Sequence, residues 1–306
     1  MTSPSRAQSN VYSDREFLSP KTLANLENLE FVARSVVEGF LIGLHKSPFH
    51  GFSAEFANYR KYSPGDDIRF IDWKLQARTD RWYIKQFEEN TNTRAHIILD
   101  CSASMGVNAG TDGVSKFHYA RMLAASLAHL ILKQNDAVGL WLFNDSLMDG
   151  VGARSRSTQF RDILSKLEKS VAQGGAPFND ALRSLPARIG RRGLVLLISD
   201  CLADADAIIE PVRAFAVRGH EVVVFNVLTT LERQFPLEGM TEFIDSETGD
   251  KLSTNALDIR DAYLSALKAH TADLRRRCRE MAIDFVELTS DTPIEIALRA
   301  YLTSRK

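Results

Sequence analysis

Cysteine is scarce in this chain, and the scarcity narrows what it can do. Of 306 residues only Cys101, Cys201 and Cys278 are cysteines. None has C-x-x-C spacing, which argues against a zinc site or a disulfide framework. Cys101 and Cys201 each follow an acid, and they read as small buried fillers, with a redox role as the alternative. Long apolar runs are missing too. None approaches the roughly 20 residues that cross a bilayer, and residues 1–10 lack the apolar centre of a signal peptide. The expectation is a cytoplasmic protein without direct membrane insertion. Charge of one sign is also lacking. The 38 Lys and Arg against 39 Asp and Glu leave a net charge of -1. That argues against a surface built throughout for nucleic acid or anionic membrane. Enzyme signatures are absent as well: no G-x-G-x-x-G after a strand, no G-x-x-x-x-G-K-[ST] loop and no G-x-S-x-G elbow. No internal repeat is visible.

What is present is an ordinary globular composition, 44% hydrophobic and 25% charged, long enough for one large or two medium domains. One stretch organises the rest: Ala95-His96-Ile97-Ile98-Leu99-Asp100-Cys101-Ser102-Ala103-Ser104-Met105-Gly106. An apolar run ends in an acid, and two hydroxyls follow at alternate positions. The run reads as a buried parallel strand. Open α/β sheets place ligand crevices at the carboxyl ends of strands, where Asp100 falls. Asp100, Ser102 and Ser104 present hard oxygens, which suit Mg²⁺ better than zinc. A second run of the same design, Gly193-Leu194-Val195-Leu196-Leu197-Ile198-Ser199-Asp200, also ends in an acid. Two carboxylates at two strand tips can share one cation. The bland alternative for each is a strand followed by a polar turn.

Along the chain, residues 1–16 are polar and read as a disordered tail. Ser19-Pro20 opens a helical pattern whose apolar residues run from Leu23 to Leu44. Tyr83-Ile84-Lys85-Gln86-Phe87 alternates as a strand. Residues 115–133 form an amphipathic helix, and His118 and His129 on it read as packing or surface residues. Ala137-Val138-Gly139-Leu140-Trp141-Leu142-Phe143 is the next strand, followed by a short edge strand. Helical patterns cover 160–167, 180–185 and 203–217, the last ending near Gly219 as C-cap. Residues 221–228 form a buried strand, 245–250 a hairpin tip, 258–281 a long charged helix, 283–288 the last strand, and Pro293 starts a terminal helix. Strands alternating with helices predict a mainly parallel sheet.

The segment from about Arg94 onward resembles a von Willebrand factor type A domain. Such domains carry a metal-ion-dependent adhesion site made of D-x-S-x-S, a later Thr, and an Asp at the end of a later strand. Asp100, Ser102, Ser104 and Asp200 match that pattern. In the Gly-rich turn Gly174-Gly175-Ala176-Pro177-Phe178-Asn179-Asp180, Ala176 stands where the Thr is expected, leaving water, Asn179 or Asp180 as substitutes. The wording E-F-x-x-Y-R-K-Y-x-P-G-D-D-I-R-x-I-D-W-K-x-x-A-R-T-D-R-W-Y-I-K-Q-F-E-E, from Glu55 to Glu89, resembles the prokaryotic family called domain of unknown function 58. The resemblance implies a Rossmann-like α/β domain over 93–306 with a central mainly parallel sheet. An N-terminal helical segment and a small β-rich module would precede it over 17–92.

In that module, basic residues such as Arg60, Arg69 and Arg81 stand among aromatics, a pattern seen in single-strand nucleic-acid binders. Acids nearly cancel them, which leaves little attraction for phosphate. An ion-paired module or a partner-binding surface fits better, and no nucleic-acid partner is expected. Catalysis by Asp100 as a phosphorylated nucleophile is the minor reading, because the usual second acid two residues on is Ser102. The resemblance implies Mg²⁺ or Mn²⁺ on Ser102 and Ser104, with Asp100 and Asp200 reaching it mostly through water. One coordination position would stay open for a partner's carboxylate. It also implies association with a MoxR-type AAA+ ATPase. The expected function is therefore a non-enzymatic interaction module, a metal-assisted adaptor to such an ATPase. A metal-free scaffold is the alternative.

Overall fold

The computed structural model describes residues 19–26, 28–45, 59–61, 82–85, 93–108, 113–144, 150–175, 178–190 and 192–304. Their contacts divide the chain into two units. Residues through Leu41 group with those from Thr93 onward, and Ile42–Asn92 forms the second unit. In the second unit β1 (Tyr59–Lys61) and β2 (Tyr83–Lys85) pair antiparallel. The strand expected over 83–87 is thus present in its first three residues, and Gln86 and Phe87 lie outside the described residues.

The larger unit opens with two helices. In α1 (Pro20–Ala24) Ser19 caps the N-terminus by accepting a hydrogen bond from the Thr22 N–H, and Pro20 fills the first turn. The longer α2 (Leu29–His45) buries Val32, Ala33, Val36, Val37 and Phe40 at helical spacing. Through Leu41 these helices group with the larger unit.

A six-stranded sheet forms the centre. Its strands in chain order are β3 (Arg94–Asp100), β4 (Ala137–Phe143), β5 (Val151–Arg154), β6 (Leu194–Ser199), β7 (Glu221–Leu228) and, after the hairpin described below, β10 (Asp284–Thr289). Their spatial order is β10-β7-β6-β3-β4-β5. All neighbours are parallel except β5, which runs antiparallel to β4 at one edge. Counted along the chain, this is the doubly wound order 3-2-1-4-5-6, so the domain is the type A-like α/β fold. The first strand (β3) and the fourth (β6) lie side by side, Leu99 opposite Ile198, where the winding changes direction. Both are buried on both faces, which explains their continuous apolar runs. Gly193 is required where β6 begins, because a Cβ there would collide with the Arg94 carbonyl oxygen.

Helices cover the sheet. The central one, α3 (Lys116–Lys133), is capped by Ser115 and is buried over most of its circumference. Around the sheet follow α4 (Gln159–Lys169), α5 (Phe178–Ile189), α6 (Ala205–Val217), the short α7 (Thr230–Gln234), α8 (Ala256–Glu280) and the terminal α9 (Ile294–Ser304). One face of the core joins Ile98, Val195, Leu197, Val222 and Val224 of the sheet to Leu182, Leu185, Ile208, Val212, Phe215 and Leu274 of the helices. The hairpin expected at 245–250 has arms β8 (Met240–Ile244) and β9 (Lys251–Asn255). It rests on α8 through Phe243 stacked on Phe235, which in turn packs on Tyr263.

Candidate functional site at the strand tips

Asp100 is the last residue of β3 and is fully buried. Its Oδ1 accepts the Ser102 N–H at 2.9 Å, the local turn that Asp favours. Its Oδ2 accepts the Ser199 hydroxyl, from the end of neighbouring β6, at 2.6 Å. Ser102 begins a 3₁₀ turn over Ala103–Gly106, and its Oγ lies 3.0 Å from Ser104 Oγ. Backbone bonds fix this loop on two sides. The Cys101 N–H donates to the Phe143 carbonyl (2.7 Å), and the Ala103 N–H donates to the Gly174 carbonyl (2.9 Å). The Gly-rich turn thus meets the D-x-S-x-S loop. Ala176 lies outside the described residues, as do the side chains of Asn179 and Asp180 on α5.

Asp200 follows β6 directly and is 3% exposed. The backbone turns sharply after it, with Cys201 at φ +51, a left-handed conformation uncommon for a residue with a side chain. That turn is held by the Asn226 side-chain amide donating to the Asp200 carbonyl (2.7 Å) and by His270 Nε2 donating to the Cys201 carbonyl (2.8 Å). Asp200 Oδ1 accepts the Leu202 N–H at 3.3 Å. Its Oδ2 accepts Lys116 Nζ at 2.8 Å.

Lys116 is the site residue that sequence reasoning missed. It is the first residue of α3, its side chain has no exposure, and its ammonium also donates to Glu232 Oε1 at 2.6 Å. Glu232 is held in turn by the capping box of α7. Its Oε2 accepts both the Thr229 N–H (2.7 Å) and the Thr229 hydroxyl (2.9 Å). Two signals could have found this pair. Lys116 stands on the same helical stripe as Ala120, Leu123 and Leu127, where an apolar residue belongs. Thr229-x-x-Glu232 has the capping-box pattern.

The electrostatics follow from burial. Burial pushes the Asp100 carboxyl up to about 7, the negative charge of Asp200 adds to the rise, and hydrogen bonds from Ser199 and Ser102 oppose it. Burial pulls Lys116 down, but Asp200 and Glu232 outweigh it and the net shift is upward, so its charge is secure at neutral pH. Burial drives the Cys101 thiol up to about 12 and Cys201 further still. Both shifts favour the protonated thiol at neutral pH, in keeping with buried fillers.

Whether these residues fit the Mg²⁺ or Mn²⁺ implied by the resemblance depends on the donor set. The two serine oxygens, 3.0 Å apart, match the roughly 3.0 Å edge of an octahedron built on bonds of about 2.1 Å. The second strand tip does not fit. Asp200 Oδ2 is occupied by an ammonium from the chain itself. A divalent ion shared between Asp100 and Asp200 therefore does not fit this arrangement.

Above the ion pair opens a cleft of about 340 Å³. Ser104, Lys116, Asp200 and Glu232 line it from the sheet side, with Leu202 at the rim. Ile244 and Asp245 bring in the tip of the β8–β9 hairpin. Leu202 and Ile244 are 42% and 56% exposed, so apolar surface borders the charged floor.

Comparison with known proteins places the chain. Uncharacterized protein Rv1480 of Mycobacterium tuberculosis is 30% identical over 295 residues, covering 94% of this chain and 90% of the relative. Among solved structures, an aerotolerance-related membrane protein from Bacteroides fragilis aligns with 69% of this chain and 98% of its own, at 18% identity and a TM-score of 0.49. The conserved hypothetical protein BatB from Bacteroides thetaiotaomicron aligns over the same shares at 17% identity and a TM-score of 0.47. The model of the family described as Protein of unknown function DUF58 matches residues 58–273, and the chain belongs to that family.

Proposed function

We propose that this chain is a protein–protein interaction module whose docking face is the cleft at the strand tips, and that it serves as an adaptor to a MoxR-type AAA+ ATPase. The observation that carries the docking face is the position of the cleft. It lies at the carboxyl ends of β3 and β6, where the winding of the sheet reverses and where open α/β sheets bind their ligands. The buried Lys116–Asp200–Glu232 cluster gives that face a rigid charged floor, and Leu202 and Ile244 give it an apolar rim. Rigid elements under a mixed apolar and charged surface suit a protein partner, since little ordering cost remains at binding. The ATPase assignment comes from the family resemblance. It agrees with the lack of any phosphate-binding loop in the sequence, since ATP-driven work then has to come from another chain.

The test is a binding measurement between the full chain and a purified MoxR-type ATPase from the same organism. Leu202→Asp places a charge on the exposed rim without entering the core, and should weaken docking at least about tenfold, the loss of one buried apolar anchor. Lys268→Ala, on the exposed side of α8, should leave affinity unchanged. Equal affinity for both variants would move the docking face away from the cleft. No association under any condition would remove the ATPase as partner. A cation-bridged version, with Mg²⁺ or Mn²⁺ on Asp100, Ser102 and Ser104, predicts release by EDTA, whereas docking on the lysine-closed floor predicts none.

A further inference from the structure

We infer that Lys116 supplies, as a fixed part of the chain, the positive charge that a divalent ion would bring to the paired strand tips, so that the site is assembled without metal. The geometry is specific. The ammonium is fully buried and lies 2.8 Å from Asp200 Oδ2 and 2.6 Å from Glu232 Oε1. It therefore ties together three segments far apart in sequence: the start of α3, the end of β6 and the capping box of α7. The other strand tip is satisfied independently. Asp100 accepts the Ser199 hydroxyl and the Ser102 N–H, and Asp200 has Leu202 N–H on its remaining oxygen. No side-chain oxygen of Asp100, Ser102 or Asp200 is among the buried polar atoms without a partner.

A closed set of this kind resists a metal for two reasons. Mg²⁺ requires near-octahedral oxygen and gives up its water reluctantly. To recruit Asp200, it has to displace Lys116 and leave a buried ammonium with one acid instead of two. The reverse also holds. With the lysine replaced, Asp200 and Glu232 lose their shared cation, and a divalent ion meets uncompensated carboxylates in the cleft that Ser104 also lines. The inference deepens the docking reading, since it concerns the floor of the same cleft. Its test needs no partner, so the two can fail separately.

The experiment follows Mn²⁺ binding by the loss of the free-ion electron paramagnetic resonance signal, and thermal melting in parallel. Both use the full chain, wild type and Lys116→Met. The wild type should leave the free Mn²⁺ signal unchanged, and its melting temperature should be the same in excess EDTA and in millimolar MgCl₂ or MnCl₂. A ligand that binds only the folded state raises the melting temperature with concentration. Lys116→Met should melt lower in EDTA and regain part of that loss as MnCl₂ is added. Stoichiometric Mn²⁺ uptake by the wild type, abolished by Asp100→Asn, would overturn the inference. If Lys116→Met does not fold, the triple variant Lys116→Met, Asp200→Asn, Glu232→Gln removes the stranded charges. That variant should fold and stay insensitive to Mn²⁺, and an Mn²⁺-dependent rise in its melting temperature would also count against the inference.

Discussion

His96 is a buried histidine that the sheet holds in its neutral form. It lies on β3, is 3% exposed, and its Nδ1 accepts the indole N–H of Trp141 at 3.3 Å, which requires the neutral ring. Burial pushes its pKa down from 6.5 to about 4, and the nearby His220 and Arg94 push in the same direction. Because the folded value is lower, the unfolded chain takes up the extra proton between those limits. The stabilising contribution is complete above the unfolded value of 6.5 and is lost as pH falls towards 4. The contribution of His96 should therefore be about 2 kcal/mol smaller at pH 5 than at pH 7, read in urea unfolding as the change with pH of the difference between wild type and His96→Gln. Lys116 shows the opposite case. Its place on the apolar stripe of α3 marks it as unusual without saying what it meets. Its partners are 84 and 116 residues away in sequence, so no local spacing announces the triad. Asp100 and Asp200 were legible because each ends an apolar run, a local pattern that folding leaves intact.

At the scale of elements, the six sheet strands and the helices between them follow from periodicity. Fully buried strands carry continuous apolar runs and α3 carries a dense apolar surface, so their sequences show little but their structure. The β8–β9 arms were less visible. Met240, Ile244 and Leu252 are exposed on a two-stranded ribbon, so neither face gives the clean alternation of a half-buried sheet. Only the Asp245–Gly249 turn stood out, and it is closed by the Gly249 N–H donating to the Asp245 carbonyl. The five-residue α7 is too short for periodicity to register and is legible only through its capping box. Packing between elements makes a further prediction. Gly193→Ala drives a methyl into the Arg94 carbonyl at the closest approach of β6 to β3, and should destabilise the domain by roughly 1–3 kcal/mol. Gly43→Ala, at an exposed position of α2 where an added methyl meets no neighbour, should stabilise that helix by about 0.5–1 kcal/mol through helix propensity. Equilibrium denaturation of the two variants checks both signs. Equal effects would mean that the β3–β6 contact is not tight.

At the scale of the whole molecule, the doubly wound order brings together pieces that the sequence keeps apart. The D-x-S-x-S loop, the second strand tip, the start of the central helix and the α7 cap converge at one end of the sheet. The hairpin tip reaches the same cleft. That convergence is the reason for placing docking here rather than on the aromatic-rich segment of the second unit, whose 55–89 motif carries the family resemblance. The most direct measurement is amide hydrogen exchange of the full chain with and without a bound MoxR-type ATPase, read by mass spectrometry on short peptides. The account predicts slowed exchange in peptides covering 202–206 and 244–248, at the rim of the cleft, with 42–92 unchanged. Protection confined to 42–92, with the cleft peptides exchanging as in the free chain, would contradict it.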